Sequence, residues 1–190
     1  MVIALEKISL AEFLNLPETK PAQEYIDGNI YPKIMPQGKH SRLQTRLSTA
    51  INQAGESENL VLALTELRCT FANRSIVPDI SVFLWGNIPL DEQGEIMDRF
   101  QIPPDWIIEI LSPEQSPNSV INKIIFCLNH GTKLGWFIDT KDKSVLIFQA
   151  NKLPEIKYYD DQLITLNVLH HWHISVNDLF NWLKLGNSKD

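Results

Sequence analysis

The chain has 190 residues, with 17 basic and 23 acidic side chains for a net charge of −6. That length favours one domain with a sizeable core over two small ones, and the composition excludes global disorder. The acidic balance argues against a broad, non-specific nucleic-acid clamp, although a local site where a metal supplies the positive charge stays open.

The first segment, "MVIALEKISLAEF", does not carry the long apolar core of a secretory leader, because Glu6 and Lys7 interrupt it. No stretch approaches the roughly 20 apolar residues that span a bilayer. The expectation is a soluble, cytoplasmic protein with no membrane association. Cys69 and Cys127 stand far apart and outside any paired metal spacing, which reads as two buried free thiols in a reducing compartment.

In "SLAEFLNLPE", Ser9 and Glu12 have the spacing of a capping box on a short helix. "QEYIDGNIYP" reads as a hairpin, because Asp27-Gly28 supplies the positive φ angles of a two-residue turn. His40, Leu43, Leu47, Ala50, Ile51 and Ala54 recur at helical spacing and predict an amphipathic helix over 38–55. Strands follow in "LVLAL", in "ELRCTF" with Leu67, Cys69 and Phe71 inward, and in "VPDISVFLW" with Pro78 at its start. After a loop rich in Pro, Gly and acidic residues, Trp106, Ile107, Ile108, Ile110 and Leu111 predict a strand buried on both faces. A helix from about Ser119 to His130, ended by Gly131, comes next. "LGWFID" and "SVLIF" form a hairpin across Thr140–Lys143, and "EIKYY" and "QLITL" a second pair turning at Asp160-Asp161. Ser175 caps a C-terminal helix. Together these predict a mixed α/β sheet flanked by helices.

Glu109 interrupts the most apolar strand, and Asp79 sits in a similar setting in "VPDISVF". Burying a carboxylate is costly unless a cation or hydrogen-bond donors meet it. Glu24, in the hairpin strand, is a third candidate. If these acids converge, two unit charges ~4 Å apart repel by about 4 kcal/mol at an effective dielectric near 20. A hard divalent cation such as Mg²⁺ would remove that cost and keep positions for phosphate oxygens. The alternative is that Asp79 caps a turn after Pro78 and Glu109 pairs with a buried lysine or arginine.

"VPDISVF…DWIIEILSP" is similar to the PD-(D/E)XK nuclease superfamily and, more narrowly, resembles the bacterial restriction-endonuclease family known as Uma-two. The likeness runs through nearly the whole chain: "SLAEFLNLPE", "EYIDGNI", a histidine opening the first long helix, "PDISVF", "IIEILSP", a lysine-bearing helix ending in Gly, and "LGWFID". The resemblance implies a restriction-endonuclease-like domain over 1–190 that hydrolyses DNA phosphodiester bonds. It makes Asp79 and Glu109 the metal pair for Mg²⁺ (or Mn²⁺), with the Ile110 carbonyl and Glu24 as further ligands. It also matches His40, which by itself reads as a satisfied core histidine, to the family's helix-opening histidine and so gives it a site role.

The superfamily places a lysine two residues after the acid, where this chain has Leu111. Family members move it to the following helix, which makes Lys123 the candidate for steadying the attacking water; a solvated surface lysine is its other reading. Nuclease folds of this kind often pair, so a homodimer is expected. The rival to an enzyme is a catalytically silent nuclease fold that binds DNA or another protein. "HGTKLG" lacks the first glycine of a phosphate loop, Phe126 standing in its place. Ser112 has no glycine-flanked elbow. His171 and His173 would share one face of a strand in "HHWH", without a third placed zinc ligand. Trp85, Trp106, Trp136 and Trp182 read mostly as core.

Overall fold

The computed structural model describes residues 7–186. The leader reading of the N-terminus falls partly on residues 1–6, which lie outside the described residues. Among those described, no helix is long and apolar enough to cross a membrane.

Helix α1 (Leu10–Leu14) begins at Ser9 with both halves of its capping box formed. Strands β1 (Gln23–Ile26) and β2 (Asn29–Pro32) make the hairpin, with Asp27 at φ 52° and Gly28 at φ 88°. Helix α2 (Gly38–Gly55) leads to β3 (Val61–Thr65), β4 (Cys69–Phe71), β5 (Arg74–Ile76) and β6 (Ile80–Leu84). A long loop precedes β7 (Trp106–Ile110), and α3 (Pro117–Asn129) crosses over to β8 (Leu134–Asp139). Strands β9 (Ser144–Gln149) and β10 (Glu155–Tyr158) and helix α4 (Val176–Asn181) complete the order.

The strands form two sheets. The larger runs β10-β9-β8-β7-β6-β3, and the smaller β2-β1-β5-β4. Among the strands of the described residues only β7 and β8 pair in parallel, because α3 carries the chain back across the sheet between them. This is the mixed α/β architecture expected.

Alternation along β6 and β7 sorts the core into two layers. Ile80, Val82, Trp106, Ile108 and Ile110 pack with Leu43, Leu47 and Ile51 of α2 and with α4. Phe83 and Ile107 face the other way, against Val120, Ile124 and Cys127 of α3 and Cys69, Phe71 and Ile76 of the small sheet. Helix α3 approaches closely because β8 offers Gly135: a Cβ there would lie 2.4 Å from Ile124 Cγ2. Both cysteines are free and buried.

Two sequence expectations are corrected. "EIKYY" pairs antiparallel with β9, and "QLITL" is not its partner strand. Leu163, Leu166 and Leu169 are all buried in one core, and that three-residue period is one an alternating strand cannot supply. The segment is instead irregular, tied by the Leu163 amide to the Ile174 carbonyl at 2.9 Å. "HHWH" likewise forms a turn, so His171 and His173 share no strand face; His171 Nε2 meets the Ala54 carbonyl at 2.9 Å. Trp106 and Trp136 are fully buried as expected, whereas Trp85 is exposed.

Candidate active site

The β6–β7 pairing aligns Ile80 with Ile108. One step further along that register sets Asp79 opposite Glu109, on the face that α3 covers. Opposed residues of an antiparallel pair project to the same side, so two acids far apart in sequence become neighbours. Asp79 Oδ2 accepts the Ile110 amide at 2.7 Å. Glu24 reaches the same place from β1, its Oε1 accepting the Val77 amide at 2.8 Å.

Helix α3 supplies the cation. Lys123 Nζ lies 2.8 Å from Glu24 Oε1 and 3.2 Å from Glu109 Oε1. It is buried, so the surface reading fails. A lysine from the helix thus reaches Glu109, while Leu111 packs against the apolar layer. His40 opens α2 and puts Nε2 3.0 Å from Asp79 Oδ2. Glu24, His40, Asp79, Glu109, the Ile110 peptide and Lys123 therefore form one contiguous cluster.

Three participants escaped the sequence reading. Lys33, just past β2, places Nζ 2.8 Å from Asp79 Oδ1 and 2.8 Å from Glu66 Oε2. Gln44 Nε2 donates to Glu66 Oε1 at 2.7 Å and to the Asp79 carbonyl at 2.9 Å. A signal existed for Gln44, which falls between His40 and Leu47 on the buried stripe of α2. Lys33 was visible only as an isolated cation in "YPKIMP".

Four carboxylates against two ammonium groups leave excess negative charge. Glu109 responds to that excess most strongly. It is 1% exposed, and burial, with Asp79 and Glu24 beside it, pushes its pKa up to about 8 despite Lys123. Burial also opposes ionisation of Asp79, yet the His40 hydrogen bond and the Lys33 ammonium hold its carboxyl well below the usual range. For Lys123, burial works against the charge, but Glu109 and Glu24 outweigh it and raise the pKa.

Glu109 Oε1 is buried and accepts no hydrogen bond, because Lys123, 3.2 Å from it, donates to Oε2 at 3.3 Å. That open lone pair, beside a second carboxylate and a peptide, is an all-oxygen donor set of the kind a hard divalent cation takes together with waters. Among the described residues, no three His, Cys, Asp or Glu side chains surround a common point. The lysines stand between the acids. A cleft of about 670 Å³ opens onto the cluster, lined by Glu24, Lys33, Arg74, Ser116, Asn122 and Lys123.

Residues 10–177 match a family described as "Putative restriction endonuclease". The chain is also similar to a solved structure, described as a putative nuclease belonging to DUF820, from Anabaena variabilis ATCC 29413. The two are 47% identical with a TM-score of 0.92, over 93% of this chain and 99% of that one. No curated protein matches.

Proposed function

This chain belongs to the Uma2 family of restriction-endonuclease-like proteins, and from that membership we propose that it is a metal-dependent endonuclease hydrolysing DNA phosphodiester bonds. It acts as a single cytoplasmic domain, in homodimers that bring two sites to two strands. The observation that carries the reading is one buried cluster in which Lys123 joins Glu24 to Glu109 and the Ile110 amide ties in Asp79, with Glu24, Lys33 and Lys123 of that cluster lining a cleft.

Asp79 and Glu109 are the residues that would hold Mg²⁺ or Mn²⁺, with the Ile110 carbonyl and Glu24 as further oxygens. Such an ion supplies Lewis-acid polarisation of a phosphoryl oxygen and a more acidic bound water. The chain's own residues do the rest. His40 and the Ile110 amide fix the orientation of Asp79 through Oδ2. The Val77 amide fixes Glu24. Lys123, held between two acids, keeps its charge in a buried setting and can steady negative charge developing on the phosphate. Arg74 on the cleft wall is paired with Asp27, so a phosphate backbone would have to compete with that carboxylate for it.

The test is plasmid nicking with Mg²⁺ or Mn²⁺. The wild type should nick, and an Asp79→Ala, Glu109→Ala double variant should not. Equal activity from the two ends the proposal. The rival, a silent scaffold, draws on Leu111 and on the lysine pairing of every acid in the cluster. It predicts no specific Mn²⁺ uptake, whereas a nuclease site predicts uptake that collapses in Asp79→Asn. Sedimentation at the mass of one 21.8 kDa chain would exclude the dimer.

A further inference from the structure

The end of β2 delivers Lys33 into the cluster with its side chain only 8% exposed. Asp79 has two carboxylate oxygens. Oδ2 is taken by His40 Nε2 and the Ile110 amide. Oδ1 is thus the oxygen left for any further cation, and Lys33 Nζ sits on it at 2.8 Å. The same ammonium also bonds Glu66, whose side chain is 40% exposed against 3% for Asp79. Lys33 therefore spans an inner seat and an outer one.

The outer seat is built. Glu66 holds φ at 52°, in the left-handed region that a side chain of its size adopts at a cost. Gln44 grips it through Oε1 while bonding the Asp79 carbonyl with the same amide nitrogen. Both acceptors of Lys33 are thereby tied to one donor on α2. Two cations cannot share one buried carboxylate oxygen without strong repulsion. A lysine, a point charge on a flexible four-carbon stem, is the side chain able to give way.

We infer, on the divalent-metal reading above, that Lys33 is a positioning residue that competes with the metal for Asp79 Oδ1 and is retained by Glu66 when displaced. Removing the ammonium leaves Asp79 free for the metal. Removing Glu66 leaves the displaced ammonium without a seat. Generic electrostatics gives the same two signs, but treats the charges as independent, so their effects would add. In the exchange, Glu66 acts only through Lys33, and its effect vanishes once Lys33 is gone.

A double-mutant cycle read by Mn²⁺ titration, by calorimetry or electron paramagnetic resonance, separates these outcomes. Lys33→Met should bind Mn²⁺ about tenfold more tightly than wild type. Glu66→Gln, which keeps an acceptor for Gln44, should bind several-fold more weakly. Added to Lys33→Met, Glu66→Gln should change nothing further. Unchanged or weaker binding by Lys33→Met overturns the exchange, as does a Glu66→Gln effect that persists at full size in the double variant. Either result leaves the metal site itself standing, whereas a wild type that takes up no Mn²⁺ removes both readings. If Lys33→Met does not fold, Lys33→Gln, whose amide can still donate to Asp79, replaces it in the same cycle.

Discussion

Glu109→Gln isolates the cost of the most confined charge in the protein. The wild-type carboxyl has a pKa near 8 instead of the ordinary 4.5, because burial and two neighbouring acids oppose its charge more than Lys123 supports it. The folded state thus holds a proton that the unfolded chain has already released across that interval. Stability is complete below the unfolded value and falls as pH rises toward the folded one. At about 1.4 kcal/mol per tenfold change in proton affinity, the loss across the whole interval is about 5 kcal/mol. Asp79 acts in the opposite sense, but its contribution is lost only when acid drives the pH down through its depressed folded pKa, below this window. Lys123, raised above the lysine range, loses its contribution only at far higher pH. The Cys69 thiol, pushed up to about 12 by burial, enters above its ordinary 9. Urea unfolding between pH 5.5 and 8.5 in the presence of a chelator therefore reads Glu109 with little overlap from these groups. The wild type should lose stability steadily across the window, and Glu109→Gln, of nearly equal volume and no charge, should lose much less. A variant with the same pH slope as the wild type refutes the assignment of that slope to Glu109.

Lys123→Met removes the ammonium shared by Glu24 and Glu109, and breaking a buried pair from one side costs about 3–5 kcal/mol; the urea midpoint at about pH 8.5, above the Glu109 pKa, should fall accordingly, and a change within error would refute the pairing's contribution. Gly135→Ala drives a methyl into Ile124 Cγ2, an overpacking that should cost about 1–3 kcal/mol. Adding Ile124→Leu, which removes the Cγ2 branch at nearly constant volume, should recover part of the lost thermal stability if that collision is the cause.

Periodicity and turn chemistry were local enough to be read along the chain. The Asp27-Gly28 hairpin, the α2 boundaries at Gly38 and Gly55, and the acid in the middle of β7 are all set by residues within a few positions of one another. What sequence did not contain was which cation each buried acid would meet. Glu109 finds Lys123 as the metal-free alternative anticipated, but Asp79 finds Lys33 and His40, and Glu66 enters only because the chain turns at Glu66 itself, which holds a left-handed backbone. The same gap explains "QLITL", which has strand composition but loses β10 to the free edge of β9.

The sequence by itself determined that carboxylates would be buried, since apolar neighbours on both sides of Asp79 and Glu109 leave a strand residue nowhere to go but inward. Only the tertiary structure decided how that burial is made tolerable. Pairing partners lie on separate elements, β2, α2 and α3, and their distances depend on how those elements pack around one sheet. Coulomb energy falls with separation in space and takes no account of separation along the chain.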